Sequence, residues 1–376
     1  MIYLDNAATS SKKPPNVISA VLAGLNKYSA NPGRSGHKAS MEAAEGIFRV
    51  RQKVMKFFNA DSEENVVFTS SCTFALNCVI KGVLKQGDHV LVSEFEHNAV
   101  MRPLEKLRRE GKITYTIVPY DKENLVASFR SAIKENTRMI ICTHASNVLG
   151  IVMPIKEIGN LAEEKGILFC VDAAQTAGTL PIDMKDMKID FLCVAAHKGL
   201  LAPMGTGILI ARKPIENTII EGGTGTASLE LNQPSDMPER FESGTVNVPG
   251  ILGIGAGIDY VAKKGVMNIY RYEFNLLKHL YFQLSKNKNI QIYSPPPVFL
   301  ESVAVLSFNV NGYQSAQVSE YLNKNGVAVR SGLHCAVGPH KKHKTEEQGM
   351  VRISIGEANT FYEINFLIKL LKNITI

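Results

Sequence analysis

The chain has 376 residues, 45% of them hydrophobic and 20% charged, a profile that excludes an intrinsically disordered protein and allows a large buried core. Lys and Arg number 42 against 35 Asp and Glu, a net charge of +7 spread along the chain, and so mild an excess suits an anionic small ligand as well as it suits nucleic acid. At about 150 residues per domain, two to three domains are expected. The opening MIYLDNAATSS has no basic segment running into an apolar one, so no secretory leader is expected. No apolar run approaches the ~18–20 residues of a spanning helix. A cytoplasmic protein without membrane or nucleic-acid partners is the expectation.

In chain order, strand-like apolar runs occur at Val66–Ser70, His89–Phe95, Thr114–Tyr120, Met139–Ser146, Ile167–Ala174, Phe191–Ala196 and Thr206–Ala211. Helix-like patterns lie between them at Thr73–Lys85, Arg102–Glu110 and Ile155–Lys165. This alternation predicts an α/β fold with a mainly parallel, seven-stranded sheet covered on both faces. The stretch from Glu221 to Thr245, rich in Gly, Thr, Pro and acids, reads as a long functional loop. A helical region from Ile251 to Asn289 follows, its Gly253, Gly255 and Gly257 marking close helix packing. Strands near Val303–Asn309, Val327–Arg330 and Val351–Ile355 and a helix at Phe361–Lys372 close a second α/β unit. The expected division is a large domain over 15–254, with 1–14 and 255–376 forming a smaller one.

Ligands of such sheets bind beyond the carboxyl ends of the strands. One apolar strand ends in Asp172, and the next strand ends at His197-Lys198. Alone, the first is a helix cap and the second a solvated strand end. Together they match what pyridoxal phosphate demands: a partly desolvated lysine to form a Schiff base, and a carboxylate to keep the pyridine nitrogen protonated. The hydroxyl-rich turn Thr69-Ser70-Ser71-Cys72-Thr73, between a strand and a helix, supplies a phosphate site. Neither a P-loop nor a dinucleotide-binding GxGxxG is present.

The motifs LDNAATS, TSSCTFALN, EFEHNA, SNVLG, VDAAQTAG, AAHKGLLAPMGTG, FESGTVN, VRSGLHCA and VRISIGEANT occur end to end. With them the chain resembles the class V aminotransferase group of fold-type-one pyridoxal phosphate enzymes, in its cysteine desulfurase and selenocysteine lyase branch. The resemblance implies that Lys198 holds the cofactor and moves the substrate α-proton, that Asp172 faces the ring nitrogen, and that His97 stacks on the ring. Gln175 and Asn147 would approach the phenolic oxygen. Cys72, Thr73 and His197 would serve the phosphate, joined by Thr245 from a neighbouring subunit in a two-fold dimer. Arg352 would clamp the α-carboxylate of L-cysteine or selenocysteine, with Arg330, Asn31, Arg34 and His37 around the pocket. Cys335, in a polar loop among Arg330, His334 and His340, would carry the persulfide, its thiolate favoured by those groups as cations. A thiol or relay protein would then collect the sulfur. No metal is expected: the six cysteines (Cys72, Cys78, Cys142, Cys170, Cys193 and Cys335) form no CxxC pair, and most sit in apolar runs.

Departures from the family pattern are Ser71 for Gly, Cys72 for Thr, Ala195 for a Ser and Ala196 for Gly, which bear on cofactor affinity. The basic segment after Cys335, AVGPHKKHK, reads as a solvated run before a docking patch. Rival readings are a selenocysteine lyase, a transaminase or β-eliminating lyase in which Cys335 is a bystander, and a sulfur-relay or scaffold protein without turnover.

Overall fold

The computed structural model describes all residues of the chain except Arg34, Ala227, Asn373, Thr375 and Ile376. From the N-terminus, β1 (Ile2–Tyr3) is followed by α1 (Pro15–Asn26), α2 (Lys38–Phe58), β2 (Val66–Thr69), α3 (Cys72–Val83), β3 (His89–Ser93) and α4 (Asn98–Arg109). Next come β4 (Thr114–Val118), α5 (Leu125–Ala132), β5 (Thr137–Thr143), α6 (Ile155–Lys165), β6 (Leu168–Asp172), β7 (Phe191–Ala195) and β8 (Gly207–Ala211). The remainder comprises α7 (Val248–Lys264), α8 (Val266–Leu284), β9 (Ile290–Ile292), β10 (Val305–Val310), α9 (Ser315–Lys324), β11 (Val327–Ala328), β12 (Arg330–Gly332), α10 (Val337–His343), β13 (Met350–Ser354) and α11 (Phe361–Lys372).

The seven strand-like runs form one sheet in the order β2-β8-β7-β6-β5-β3-β4. β8 runs antiparallel to both neighbours, and the other pairings are parallel. β3, β6 and β7 are buried almost throughout, as strands covered on both faces must be. Their carboxyl ends deliver Glu96-His97, Asp172 and His197-Lys198 to one edge. β8 passes beneath the start of α3 because residue 207 is glycine: a Cβ there would lie 2.4 Å from the Ser71 carbonyl carbon and 2.8 Å from the Cys72 nitrogen.

The helical region after residue 250 is two helices, parted at Gly265 with φ +85°. α7 packs on α1 and α2, and the glycines act as expected: a Cβ on Gly257 would sit 1.9 Å from the Leu200 carbonyl oxygen, so α7 lies directly on the turn after Lys198. The single strand expected at Val327–Arg330 is two. β11 pairs with the N-terminal β1, whereas β12 pairs with β13 in the sheet β12-β13-β10-β9. The stretch 221–245 is a loop whose described residues hold one short 3-10 turn, Glu239–Phe241. Its Glu242 is tied to α2 by a buried ion pair with Arg51 and to β2 by accepting the Phe68 N–H at 2.7 Å. Among the described residues no helix is long and apolar enough to cross a membrane.

A cavity on the Gly199 side of Lys198 is lined by Tyr3, Gln175, Ile269, Glu273, Ile355 and Glu357. Glu273, 6% exposed, makes no hydrogen bond among the described residues. Burial, aided by Glu357 and opposed by Lys264, pushes its carboxyl up to about 8. The folded chain thus keeps a proton that the unfolded chain releases near 4.5, and stability falls as pH rises from there to about 8. Glu273→Gln is expected to be more stable than wild type at pH 8, by on the order of a few kcal/mol. Urea titrations should show that gap closing towards pH 5.

Candidate active site

A recess open to solvent is lined by Ser71, Cys72, Thr73, His97, Asn147, Asp172, Gln175, His197 and Lys198. These residues come from the ends of β2, β3, β5, β6 and β7, which explains how positions more than a hundred apart meet.

Asp172 is 4% exposed. Its Oδ1 accepts the Ala174 N–H at 2.9 Å and the Cys72 thiol at 3.4 Å, and its Oδ2 takes no hydrogen bond among the described residues. The Cys72 thiol, pushed far up by burial and then by Asp172, stays protonated and is a donor. Burial lowers the Lys198 ammonium, against the pull of Asp172 and with the aid of Arg352 and Arg330, as a lysine that must act as a free amine requires. His97 caps α4 by accepting the Ala99 N–H on Nδ1 at 3.0 Å while its ring lines the recess. Burial lowers its pKa, Asp172 opposing.

The anion site is the start of α3. Ser71 is its N-cap, accepting the Phe74 N–H at 3.1 Å, and its φ of −171° is extended backbone that needs no glycine. The Cys72 and Thr73 N–H groups carry no hydrogen bond among the described residues, so both point donors at the recess end of the helix. An unpaired carboxylate oxygen, a lowered lysine and a free helix N-terminus within one recess fit pyridoxal phosphate.

Other residues carry structural tasks as well. Gln175 Nε2 donates to the Ala7 carbonyl at 3.1 Å. His197 Nδ1 pairs with the Thr9 hydroxyl at 3.0 Å, and burial, then Lys198 and Lys13, lowers its pKa to about 4. Asn147 donates from Nδ2 to the His334 carbonyl at 2.8 Å and accepts Arg352 Nη1 on its own carbonyl at 3.1 Å. It thereby ties both the Cys335 loop and Arg352 to the large sheet. Asn31 is exposed, its carbonyl accepting the Ser40 hydroxyl at 2.7 Å. His37 is exposed and caps α2. Thr245 is exposed on its loop, away from the recess lining, and Arg34 lies outside the described residues.

Cys335 is exposed and the other five cysteines are buried. Its loop holds two successive residues in the left-handed region, His334 at φ +53° and Cys335 at φ +57°, a strain on the order of 1 kcal/mol each. The large sheet supports it: the Asn98 N–H donates to the Cys335 carbonyl at 2.8 Å, one residue from His97. Arg330 Nη2 stands 3.9 Å from the sulfur. The expectation of three cations around this thiol is corrected. Burial, then Arg352, lowers His334 to about 3, and burial lowers His340 too, so of these three groups only Arg330 carries a charge.

Sequence reasoning missed Asp5, which pairs with Arg352 at 2.6 Å, and Glu96, which accepts the Ser93 hydroxyl and the Thr143 N–H beneath the recess. Asp5 lies in the quoted LDNAATS motif, but nothing local marks its partner 347 positions away.

The class-V aminotransferase family matches residues 2–367. A probable cysteine desulfurase of Methanothermobacter thermautotrophicus is 35% identical, the alignment covering 99% of this chain and 94% of that one. A cysteine desulfurase of Yersinia pseudotuberculosis is 32% identical, covering 100% and 93%. Among solved structures, the apo cysteine desulfurase of Thermococcus onnurineus superposes with a TM-score of 0.91 at 32% identity, covering 99% of this chain and 94% of that one. The chain belongs to the class-V aminotransferase family: it is an enzyme of fold type one, in a family that works with pyridoxal phosphate. Its relatives named as cysteine desulfurases match it along its whole length.

Proposed function

We propose that the chain is a pyridoxal phosphate-dependent cysteine desulfurase, converting L-cysteine to L-alanine and carrying the sulfur as a persulfide on Cys335. The observation that carries this reading is Cys335 itself: the one exposed cysteine, on a strained loop hydrogen-bonded beside His97, with Arg330 3.9 Å from its sulfur. The full-length relatives named as desulfurases support it.

Pyridoxal phosphate, when bound, supplies a carbon that captures the substrate amine and a ring that accepts electrons from the α-carbon. The α3 N-terminus, through Cys72 and Thr73, would take the phosphate, and Thr245 of a second copy would complete the site in a two-fold homodimer. Asp172, its carboxylate oriented by the two donors on Oδ1, would keep the ring nitrogen protonated. His97, Gln175 and Asn147, which line the recess, would hold the ring, His97 by stacking and the other two as polar partners of its phenolic oxygen. Arg352 binds the substrate carboxylate. Lys198, its pKa lowered, removes the α-proton and returns a proton later. The Cys335 thiolate bonds to the substrate sulfur as the carbon–sulfur bond breaks. That sulfur is oxidised, and the carbon it leaves is reduced and takes a proton to become the methyl group of alanine. A thiol or an acceptor protein then collects the sulfur.

The test is product analysis with L-cysteine and a reducing thiol. Alanine and sulfide in equal amounts are expected, with one extra sulfur atom on the Cys335 peptide when the thiol is withheld. Pyruvate and ammonia would overturn the reading in favour of a β-eliminating lyase. Turnover of selenocysteine alone would move it to the selenium branch.

A further inference from the structure

Arg352 is 1% exposed, so its guanidinium is buried. Nη1 donates to the Asn147 carbonyl, Nη2 donates to Asp5 Oδ1, and Nε is sealed without a partner. Each Nη thus already has one donor engaged, and a carboxylate that binds across both Nη groups competes with these two occupants. Of the two occupants, the Asn147 carbonyl is backbone that cannot leave. The Asp5 side chain is 20% exposed, and its Oδ2 makes no hydrogen bond among the described residues.

We infer that Asp5 is an internal stand-in for the substrate's carboxylate: it neutralises and extends Arg352 in the free protein, and the substrate displaces it. This rests on the reading of Arg352 as the carboxylate site. The chemistry fits the exchange. A guanidinium this deeply buried needs a counter-charge, and a second carboxylate would leave the buried pair with net negative charge, which favours release of Asp5 as the substrate arrives. The segment that carries Asp5 is built to give the side chain freedom while fixing its backbone. Asp5 bridges to Ser354, its carbonyl accepts the Ala8 N–H and the Tyr3 hydroxyl, and Thr9 and Ser10 bond to His197. The exchange also gives selectivity, because a ligand without a carboxylate cannot release Asp5.

The test titrates the cofactor-loaded protein with L-alanine and with ethylamine, which lacks the carboxylate, following the absorption of the bound cofactor and the melting temperature. A site that is closed for most of the time weakens apparent affinity by the open fraction, so Asp5→Asn is expected to tighten L-alanine binding about 10-fold and leave ethylamine unchanged. Asp5→Ser, equally uncharged, carries the same sign should the asparagine variant not fold. If L-alanine binds equally or more weakly in both variants but still depends on Arg352, as judged with Arg352→Gln, the inference is overturned and Asp5 merely positions the arginine. If Arg352→Gln leaves L-alanine binding unaltered, the carboxylate role of Arg352 falls, and the inference falls with it.

Discussion

Cys335→Ala is expected to abolish alanine formation from L-cysteine, lowering the rate by ~10³-fold or more, the scale of removing a reacting nucleophile. The side chain is exposed and its loop is held through backbone groups, the Asn98 N–H on the Cys335 carbonyl and Asn147 on the His334 carbonyl. The variant should therefore fold and bind its cofactor as wild type does, with an unchanged absorption spectrum. Alanine produced at the wild-type rate would make Cys335 a bystander and end the persulfide mechanism. Loss of activity together with a changed spectrum would instead trace the defect to the recess.

Lys198→Ala is expected to cost ~10³-fold or more in turnover, since in the proposed mechanism one side chain both anchors the cofactor and moves the proton. The effect has a separate readout. In wild type, borohydride should fix the cofactor to the chain irreversibly, and in the variant the cofactor should wash away after the same treatment. The surrounding turn should survive, because its shape is set by backbone approach: a Cβ on Gly178 would lie 2.4 Å from the Gly199 carbonyl oxygen, and one on Gly199 would lie 2.4 Å from that of Ala177. Turnover within about tenfold of wild type would remove Lys198 from the proton transfer.

How much of this was legible in the sequence depends on the range of the interaction. The seven strands of the large sheet were readable because a strand buried on both faces is a short apolar run, and Phe191–Ala195 shows that as clearly in sequence as in structure. Asp172 and Lys198 stood out because each ends such a run, where ligands bind in this architecture. The division of Val327–Arg330 into two strands of different sheets was invisible, since pairing with Ile2–Tyr3 leaves no local mark. The same holds for Asp5 with Arg352 and for Asn147 with the Cys335 loop. His334 and His340 were read as cations from their neighbours in sequence, whereas their charge is decided by burial, which comes from the packing of the fold.

The distribution of the cysteines makes this enzyme its own conformational gauge. Native chains should offer one sulfur to a bulky alkylating reagent and unfolded chains six, so the count of modified sites reports the folded fraction at any temperature or denaturant concentration. Labelling first in native buffer would block Cys335 alone. A second label of different mass, added during heating, would then record the order in which the layers around Cys72, Cys78, Cys142, Cys170 and Cys193 come apart. The thiol proposed to do the chemistry can thus be capped, or linked to an acceptor, without engineering away any other cysteine.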